Sequence, residues 1–245
     1  MNDLIDRQRV SVVIPALNEA DNLPHVLPRI PPWVDEVILV DDHCTDDTVA
    51  VAMRLLPRVR VVRNERAAGK GNALRAGYAA ATGDILVQLD ADGSEAPEEI
   101  IHFVGAILAG ADFAKGTRFA YGGGTSDMTG LRRYGNYAFV LLVWLLYGVR
   151  FTDLCYGYNA IRRESLLKLD LDVSGFEVEA ALNLRALDRG LRIVEVPSFE
   201  AERVNGEGRL LTFPDGWRVL RTIVRERLKT HNRPGSSVRA ALRRS

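Results

Sequence analysis

Residues 10–15 read VSVVIP and residues 36–41 read EVILVD, and both runs consist mainly of β-branched and other apolar residues. Three further apolar runs follow at residues 59–64, 84–90 and 111–118. Continuous apolar character of this kind is typical of parallel strands that are covered on both faces of a sheet. We therefore expect five buried strands in the first half of the chain.

Segments with the apolar spacing of helices separate these runs. They lie near residues 19–30, 46–56, 70–81 and 97–109. A strand followed by a helix, repeated four times, predicts right-handed crossovers and an α/β fold with a doubly wound, mostly parallel sheet. Ligands of such sheets bind beyond the carboxyl ends of the strands, so we expect the functional residues in the loops that follow the strands.

The second half of the chain has a different pattern. A glycine-containing stretch at 121–130 precedes an apolar run at 137–149, and three more elements are predicted: a helix near 176–189, a strand near 191–198 and a helix near 215–229. No Pro- or Ser-rich linker and no internal repeat divides the sequence. We therefore expect one domain over residues 1–230, with halves at 10–120 and 121–230, and a basic tail without ordered structure at 231–245.

Composition excludes some classes of function. Of the 245 residues 47% are hydrophobic and 26% are charged, which allows a sizeable core. Lys and Arg number 32, as do Asp and Glu, so the bulk charge does not favour nucleic acid as a partner. The N-terminal residues lack the pattern of a secretory signal, so we expect a cytoplasmic protein. Cys44 and Cys155 have no metal-binding spacing, so we expect two reduced thiols.

Two carboxylates follow the fourth apolar run. Asp90 and Asp92 are two residues apart, so both side chains leave an extended backbone on the same side, where they repel each other. A divalent cation such as Mg²⁺ or Mn²⁺ removes this repulsion, while phosphates and water fill its other coordination positions. The pair therefore predicts a metal–diphosphate site. The alternative is a simple turn, because DADGS is also typical turn sequence.

Five segments at predicted strand ends resemble a known enzyme family. They read VVIPALNEADNL (12–23), VILVDDHCTDDT (37–48), GKGNALRAG (69–77), VQLDADGSEAPEEI (87–100) and FAKGTRFAYGG (113–123). Together they resemble the nucleotide-binding half of the family 2 glycosyltransferases, of the GT-A fold. The resemblance is strongest to the polyprenyl-phosphate (dolichyl-phosphate) mannosyl- and glucosyltransferases. It extends over residues 10–210 through the segments 153–166 and 195–210.

The resemblance implies that residues 10–120 bind a nucleotide sugar and residues 121–230 face the acceptor. It assigns the donor to nine residues: Pro15, Leu17, Glu19, Asp41, Asp42, Lys70, Asp90, Arg203 and Arg209. It assigns the metal to Asp90 and Asp92. Some of these residues also have structural interpretations, since Pro15 can end a strand and Asp42 can contribute to a helix cap. Gly208-Arg209 stands where the family usually has Ser-Lys, so the contact geometry there differs.

On the acceptor side the resemblance places three arginines, Arg118, Arg132 and Arg133, of which Arg118 is expected to bind the acceptor phosphate. Guanidinium groups suit phosphate oxygens and stay charged at any working pH. A hydroxyl acceptor would need a general base, for which Asp153, Glu177 and Glu179 are candidates. Glu179 aligns best with an acidic position of the family. We therefore expect the catalytic residues to be Asp92, Arg118 and Glu179.

The implied reaction is an inverting transfer of a hexose from a GDP-mannose or UDP-glucose type of donor to a polyprenyl phosphate. One alternative is the same donor chemistry with a soluble hydroxyl acceptor, because DLCYGYNA (153–160) departs from the family's wording at the acceptor site. A second is a non-catalytic nucleotide-sugar-binding module, against which both metal carboxylates argue. A receiver domain and a sugar nucleotidyltransferase have the same type of fold. A receiver domain does not need the Asp90-x-Asp92 pair, and the sequence PALNEADN stands where a nucleotidyltransferase has its glycine-rich phosphate loop.

A membrane surface is a further expected partner. The run 137–149 is shorter than the roughly 20 residues that span a bilayer. Residues 203–245 contain 11 Lys or Arg and three Asp or Glu. Five apolar residues there have helical spacing beside basic ones: Trp217, Leu220, Ile223, Val224 and Leu228. This pattern predicts a basic amphipathic helix that binds peripherally at the cytoplasmic face, the alternative being a solvated helix packed on the domain.

Overall fold

The central feature of the fold is a seven-stranded sheet in the order β3-β2-β1-β4-β7-β5-β8, with a separate pair, β6-β9. The computed structural model describes residues 8–231, His231 by its backbone alone. The strands are β1 Val10–Ala16, β2 Glu36–Asp41, β3 Arg60–Arg63, β4 Ile85–Gln88, β5 Phe113–Thr117, β6 Gly124–Thr125, β7 Asn159–Arg162, β8 Ile193–Pro197 and β9 Phe199–Glu200. The five strands predicted for the first half are all present.

The sheet is mostly parallel, which confirms the predicted fold class. Strand β1 pairs in parallel with both β2 and β4, β3 pairs with β2, and β8 pairs with β5. The exception is β7, which lies antiparallel between β4 and β5. The sequence pattern did not assign β7, because its four residues include polar Asn159 and Arg162. Two strands that follow each other in the first half, β4 and β5, are therefore separated in space.

Helices cover both faces of this sheet. They are α1 Leu23–Val26, α2 Thr48–Leu55, α3 Lys70–Ala80, α4 Ile100–Leu108, α5 Gly130–Tyr147, α6 Arg163–Leu166, α7 Val178–Asp188 and α8 Thr212–His231. The helix predicted near 19–30 is only one turn of α-helix followed by a 3₁₀ turn, Leu27–Arg29. Pro24 and Pro28 are the second residues of these two short elements, and proline is tolerated only in the first turn of a helix. The residues before α1 are thereby left in a loop at the carboxyl end of β1.

Apolar side chains on the two faces of the strands form two cores. Val12, Ile14 and Leu39 pack on one face with Phe103 of α4, whereas Val13 and Ile38 of the same strands pack on the other face. A third core joins α5, α7 and α8 and includes Val143, Leu184 and Ile223. The Tyr147 hydroxyl fixes the contact of α5 with α8 by donating to the Ile223 carbonyl at 3.0 Å. The predicted extent of the single domain, 1–230, stays a prediction, and residues 232–245 of the expected tail lie outside the described residues.

Helices α5 and α8 also carry apolar side chains that do not enter any core. The exposed set, which we name the α5–α8 face, consists of Leu131, Tyr134, Tyr137, Leu141, Trp144, Leu145, Phe213, Trp217, Val224 and Leu228. In α8 the opposite side packs inward through Val219 and Ile223. Within residues 8–231 no helix has the length and apolar character that crossing a bilayer requires.

Candidate active site

A cavity of about 440 Å³ opens at the carboxyl ends of β1, β4 and β5. It is lined by twelve of the residues that the family resemblance assigned to the site: Pro15, Leu17, Glu19, Asp42, Lys70, Asp90, Asp92, Arg118, Arg132, Glu179, Arg203 and Arg209. Asp41 and Arg133, which were also predicted, do not line it. Residues from positions 15 to 209 thus meet at one edge of the sheet.

Asp90 and Asp92 stand in the loop after β4, and each has a cationic partner. Asp90 Oδ2 is 2.8 Å from Lys70 Nζ, and Asp92 Oδ2 is 3.3 Å from Arg203 Nη1. The hydroxyl and the backbone N–H of Ser94 donate to Asp92 Oδ1 at 2.7 and 3.0 Å. The repulsion between the Asp90 and Asp92 carboxylates is therefore offset by the side chains of Lys70 and Arg203.

Lys70 begins helix α3 and bridges two acidic groups. Its Nζ lies 2.8 Å from Asp90 and 3.0 Å from Glu179 Oε1. Burial alone would lower the pKa of Lys70, but the charges of Asp90 and Glu179 raise this pKa well above its ordinary value, so the ammonium stays protonated. Gly71 allows α3 to pack closely against the segment that contains Val173, since a Cβ at position 71 would lie 2.5 Å from the Val173 carbonyl oxygen.

Glu179 is the one member of the three predicted general-base candidates that lines the cavity. It is held by Gln88, which donates to Glu179 Oε1 at 3.3 Å and accepts from the Tyr78 hydroxyl at 3.1 Å. Burial raises the pKa of Glu179, although Lys70 opposes the shift. Asp153 is fully buried against Arg118, and Glu177 accepts hydrogen bonds from the backbone N–H groups of Ser174 and Gly175, which precede α7.

Arg118 follows β5 and is fixed by two carboxylates. Its Nε and Nη2 donate to Asp153 at 2.7 and 3.0 Å, and its Nη1 donates to both oxygens of Glu200 at 3.1 Å. The ring of Tyr156 lies 4.9 Å from the guanidinium carbon. The side chain therefore reaches the cavity wall in a single defined orientation.

The sequence and the geometry agree with one family. Residues 11–170 match the model of glycosyl transferase family 2. The chain belongs to this family. The resemblance found in the sequence is thereby confirmed.

The relatives of this glycosyltransferase include lipid-phosphate enzymes. It is 37% identical over 220 residues to the polyprenol monophosphomannose synthase of Mycolicibacterium smegmatis, covering 83% of this chain and 81% of the relative. It is 33% identical to the undecaprenyl-phosphate mannosyltransferase of Micrococcus luteus over 213 residues, covering 82% and 87%.

A solved structure shares the GT-A fold. Glucosyl-3-phosphoglycerate synthase from Mycobacterium tuberculosis, in complex with Mn²⁺, UDP and glucosyl-3-phosphoglycerate, superposes with a TM-score of 0.73 at 29% identity. The match covers 91% of this chain and 81% of that one. The mixed α/β sheet of the glycosyltransferase therefore has the architecture that its sequence predicted.

Two acidic residues of the site were missed by sequence reasoning. Glu95 is buried and accepts a hydrogen bond from the Asp90 backbone N–H at 2.8 Å. Burial and the nearby charge of Asp90 raise the pKa of Glu95 well above its ordinary value. Glu200 binds Arg118 from 82 positions along the chain. Glu95 lies within the segment DADGSEAPEEI, but the sequence of this segment is also typical of a turn followed by the start of a helix.

The remaining predicted arginines have different surroundings. Arg132 Nη2 donates to the Leu210 carbonyl at 2.9 Å, which ties α5 to the segment that carries Arg209. Arg209 is exposed at the cavity rim. The guanidinium of Arg133 lies 5.6 Å from the Phe119 ring and does not line the cavity. Of these three arginines, Arg132 and Arg209 are placed to meet a ligand.

The residues present fit a divalent metal ion that shares its coordination with a ligand. Within residues 8–231 no three His, Cys, Asp or Glu side chains are grouped as a complete metal site. The side chains of Asp90 and Asp92 are partly exposed, by 26% and 22%, and both line the cavity. Two carboxylates with open coordination positions suit Mg²⁺ or Mn²⁺ bound together with phosphate oxygens and water.

Proposed function

We propose that this glycosyltransferase moves a hexose from a nucleoside diphosphate sugar to a polyprenyl phosphate, with inversion at the anomeric carbon. The observation that carries the proposal is the apolar part of the cavity lining. Besides the two aspartates, the cavity is lined by five apolar side chains of α5, of α8 and of the segments that precede these helices: Met128, Leu131, Phe139, Leu210 and Val219. An isoprenoid chain needs such an apolar path, whereas a small polar acceptor does not. The names of the two lipid-phosphate relatives support the same acceptor class.

On the donor side we assign the metal to Asp90 and Asp92. When bound, Mg²⁺ or Mn²⁺ would stabilise the negative charge that grows on the leaving diphosphate. Lys70 and Arg203, already beside these carboxylates, would bind the diphosphate oxygens, with Arg209 at the rim. Pro15, Leu17 and Glu19 would form the wall for the nucleoside. Asp41, which is outside the cavity lining, would contribute indirectly.

On the acceptor side we assign the phosphate to Arg118 and Arg132. A phosphate monoester is anionic at neutral pH, so it can attack without a general base. In this reaction Glu179 would hold Lys70 in place rather than remove a proton, because the two side chains form an ion pair at 3.0 Å. Arg133 would act outside the cavity.

We propose that the α5–α8 face lies against the cytoplasmic face of a membrane. Aromatic side chains at an interface anchor proteins to the headgroup region, and Tyr134, Trp144 and Trp217 are exposed there. Arg218 and Arg225 of α8 are exposed beside them, by 60% and 47%. Basic side chains near an anionic surface contribute about 1 kcal/mol each. The apolar end of the cavity would then open toward the lipid phase.

A second candidate function has an observation in its favour. The glucosyl-3-phosphoglycerate synthase structures hold phosphoglyceric acid with UDP-glucose and Mn²⁺, so a protein of this fold binds a soluble acceptor. With a hydroxyl acceptor, Glu179 would serve as the general base. A non-catalytic nucleotide-sugar-binding module is less well supported, because both metal carboxylates line the cavity.

To test this proposal, the purified protein is incubated with UDP- or GDP-sugars and with Mn²⁺ or Mg²⁺. Each donor is combined with a polyprenyl phosphate, with phosphoglyceric acid or with no acceptor. We expect glycosylated product only in the reactions that contain polyprenyl phosphate as the acceptor. Product with phosphoglyceric acid and none with the lipid would instead establish the soluble-acceptor reaction. Binding of donor without any product under all conditions would favour the binding module.

A further inference from the structure

The family resemblance assigned Asp42 to the nucleotide-sugar donor, but its carboxylate is already engaged. It follows β2 and is only 4% exposed. Its Oδ1 accepts a hydrogen bond from Asn64 Nδ2 at 2.6 Å, and its Oδ2 accepts one from the Gly69 backbone N–H at 2.8 Å. Both oxygens therefore bind the loop 64–69 that connects β3 to α3.

Asn64, the partner of Asp42, organises this loop from inside. It is fully buried, and its backbone N–H donates to the Asp41 carbonyl at 2.9 Å. Its side-chain oxygen accepts from the Arg66 N–H at 3.0 Å, while its Nδ2 also lies 3.3 Å from the Ala67 carbonyl. The Asp42–Asn64 pair therefore fixes the beginning, the middle and the end of the loop.

The end of the loop decides where α3 begins. Gly69 has a φ of +153°, and a Cβ there would lie 2.5 Å from the Ser174 carbonyl oxygen. The next residue is Lys70, whose Nζ reaches Asp90. On one side the loop is held by Asp42 and on the other it abuts residue 174. A change at Asp42 would thus be transmitted over one peptide unit to the lysine.

We infer that Asp42 is a positioning residue that sets Lys70 against the donor diphosphate through Asn64 and the Gly69 N–H. The inference deepens the proposed function and rests on it. A direct contact with the base would make Asp42 important for the nucleoside part of the donor. A positioning role makes Asp42 important for the diphosphate part. The two roles therefore predict different effects on the same ligands.

The experiment measures by calorimetry the binding of UDP and uridine, and of GDP and guanosine, in the presence of Mn²⁺. In Asp42→Asn one carboxylate oxygen becomes an NH₂ group, so the side chain can no longer accept from both Asn64 Nδ2 and the Gly69 N–H, and one of the two hydrogen bonds is lost. We expect the affinity for the nucleoside diphosphate to fall about tenfold, as for the loss of one hydrogen bond to a charged group, and the nucleoside affinity to stay unchanged. An equal loss for nucleoside and diphosphate, or no loss for either, would overturn the inference.

A reciprocal exchange provides the rescue. In Asp42→Asn/Asn64→Asp the donor and acceptor change places, so the pair and the acceptor for Gly69 N–H are restored. We expect diphosphate affinity to return to within about threefold of the original, since the hydrogen-bond count is nearly recovered. Glu65→Gln, an exposed charge loss in the same loop, is the control and should change neither affinity.

Hydrogen exchange of the loop amides gives a readout that does not depend on any ligand. The Gly69 amide should exchange at least about tenfold faster in Asp42→Asn and regain protection in the exchanged pair, because exchange follows local opening. Unchanged protection in Asp42→Asn would contradict the inference. If the original protein transfers no sugar, the proposed function fails, but the exchange data still decide whether Asp42 holds the Lys70 loop.

Discussion

Arg203 Nη1 lies 3.3 Å from Asp92 Oδ2, and the same guanidinium pairs with Glu19. Lys70 occupies the equivalent place beside Asp90. A metal ion that binds alone must therefore compete with two cations for its carboxylates. A diphosphate that arrives with the metal gives both cations new anionic partners, so metal and nucleotide should bind cooperatively.

We expect the affinity for Mn²⁺ to rise when UDP or GDP is present, by about tenfold for a coupling of 1.4 kcal/mol. Arg203→Gln should bind Mn²⁺ alone more tightly and the diphosphate less tightly, so the coupling should shrink. Calorimetric titrations with and without nucleotide measure both effects. Arg29→Gln is a suitable control because its ion pair with Glu98 is on the surface. Equal Mn²⁺ affinity with and without nucleotide would contradict this model.

Asp92→Ala and Asp90→Ala should lower the turnover rate by about 100-fold or more, because the leaving diphosphate loses its counter-charge. The folded state should persist, since both side chains are partly exposed. Initial rates and thermal melting of each variant check the two statements. Asp47→Ala is a matched control, because Asp47 is exposed and makes no side-chain cap. Full turnover in excess EDTA would show that no divalent metal is needed.

Arg118→Ala should raise the Michaelis constant for the acceptor while donor affinity stays within about twofold, a change well below 1 kcal/mol. It should also destabilise the protein by about 3–5 kcal/mol, because the buried carboxylate of Asp153 would lose its guanidinium partner. Arg118→Lys keeps a charge near Asp153 and separates the two effects. Arg163→Ala, at the opposite end of the sheet, controls for the loss of an arginine. A fall in donor affinity with an unchanged acceptor constant would place Arg118 in the donor site.

The attachment of α8 should depend on pH. Arg185 pairs with Glu226 at 2.7 Å and with Asp172; burial opposes ionisation, but these contacts lower the pKa of both carboxyls. Because the pKa of each carboxyl is lower in the folded than in the unfolded state, its ionised form stabilises the fold. This contribution is complete above about pH 4.5, and it is lost as the pH falls through the pKa of the folded state. Glu226→Gln should therefore cost about 1–3 kcal/mol at pH 7, and the difference from the original should disappear in acid. Denaturant unfolding at several pH values measures it, with the exposed Glu164→Gln as control. A pH-independent difference would exclude the ion pairs as its cause.

The protein should float with anionic vesicles at low salt and be released at high salt, because charged attraction is screened. Trp217→Ser and Leu228→Ser should weaken binding without disturbing the third core, because both side chains are exposed. Truncation after Pro214 should weaken binding, although it also removes Val219 and Ile223 from that core. Met53→Ser is the control for the loss of an exposed apolar side chain, because Met53 is exposed on α2, away from the α5–α8 face. A full-length protein that stays in the soluble fraction at low salt would favour a soluble acceptor.

Local sequence patterns predicted most of the strands, and the family resemblance of five motifs predicted most of the cavity lining. Apolar runs predict buried strands, and Asp90-x-Asp92 predicts a metal site, because each is a property of neighbouring residues. The pairing of Arg203 with Asp92 joins positions 111 apart, and no local pattern contains such information. The same is true of Glu200 with Arg118. Strand β7 was missed because an antiparallel strand inserted late in the chain leaves no trace in the alternation of the first half.

Strand β7 also determines a distance within the active site. Asp90 follows β4 and Arg118 follows β5, and β7 separates them by two strand spacings, about 10 Å in all. Gly157, just before β7, lies between them, and a Cβ there would be 2.8 Å from Lys70 Nζ and 3.2 Å from Asp90 Oδ2. Strand β7 therefore sets, at the level of the backbone, the spacing between the carboxylates that we propose for the metal and the arginine that we propose for the acceptor phosphate, because its hydrogen bonds hold β4 and β5 apart.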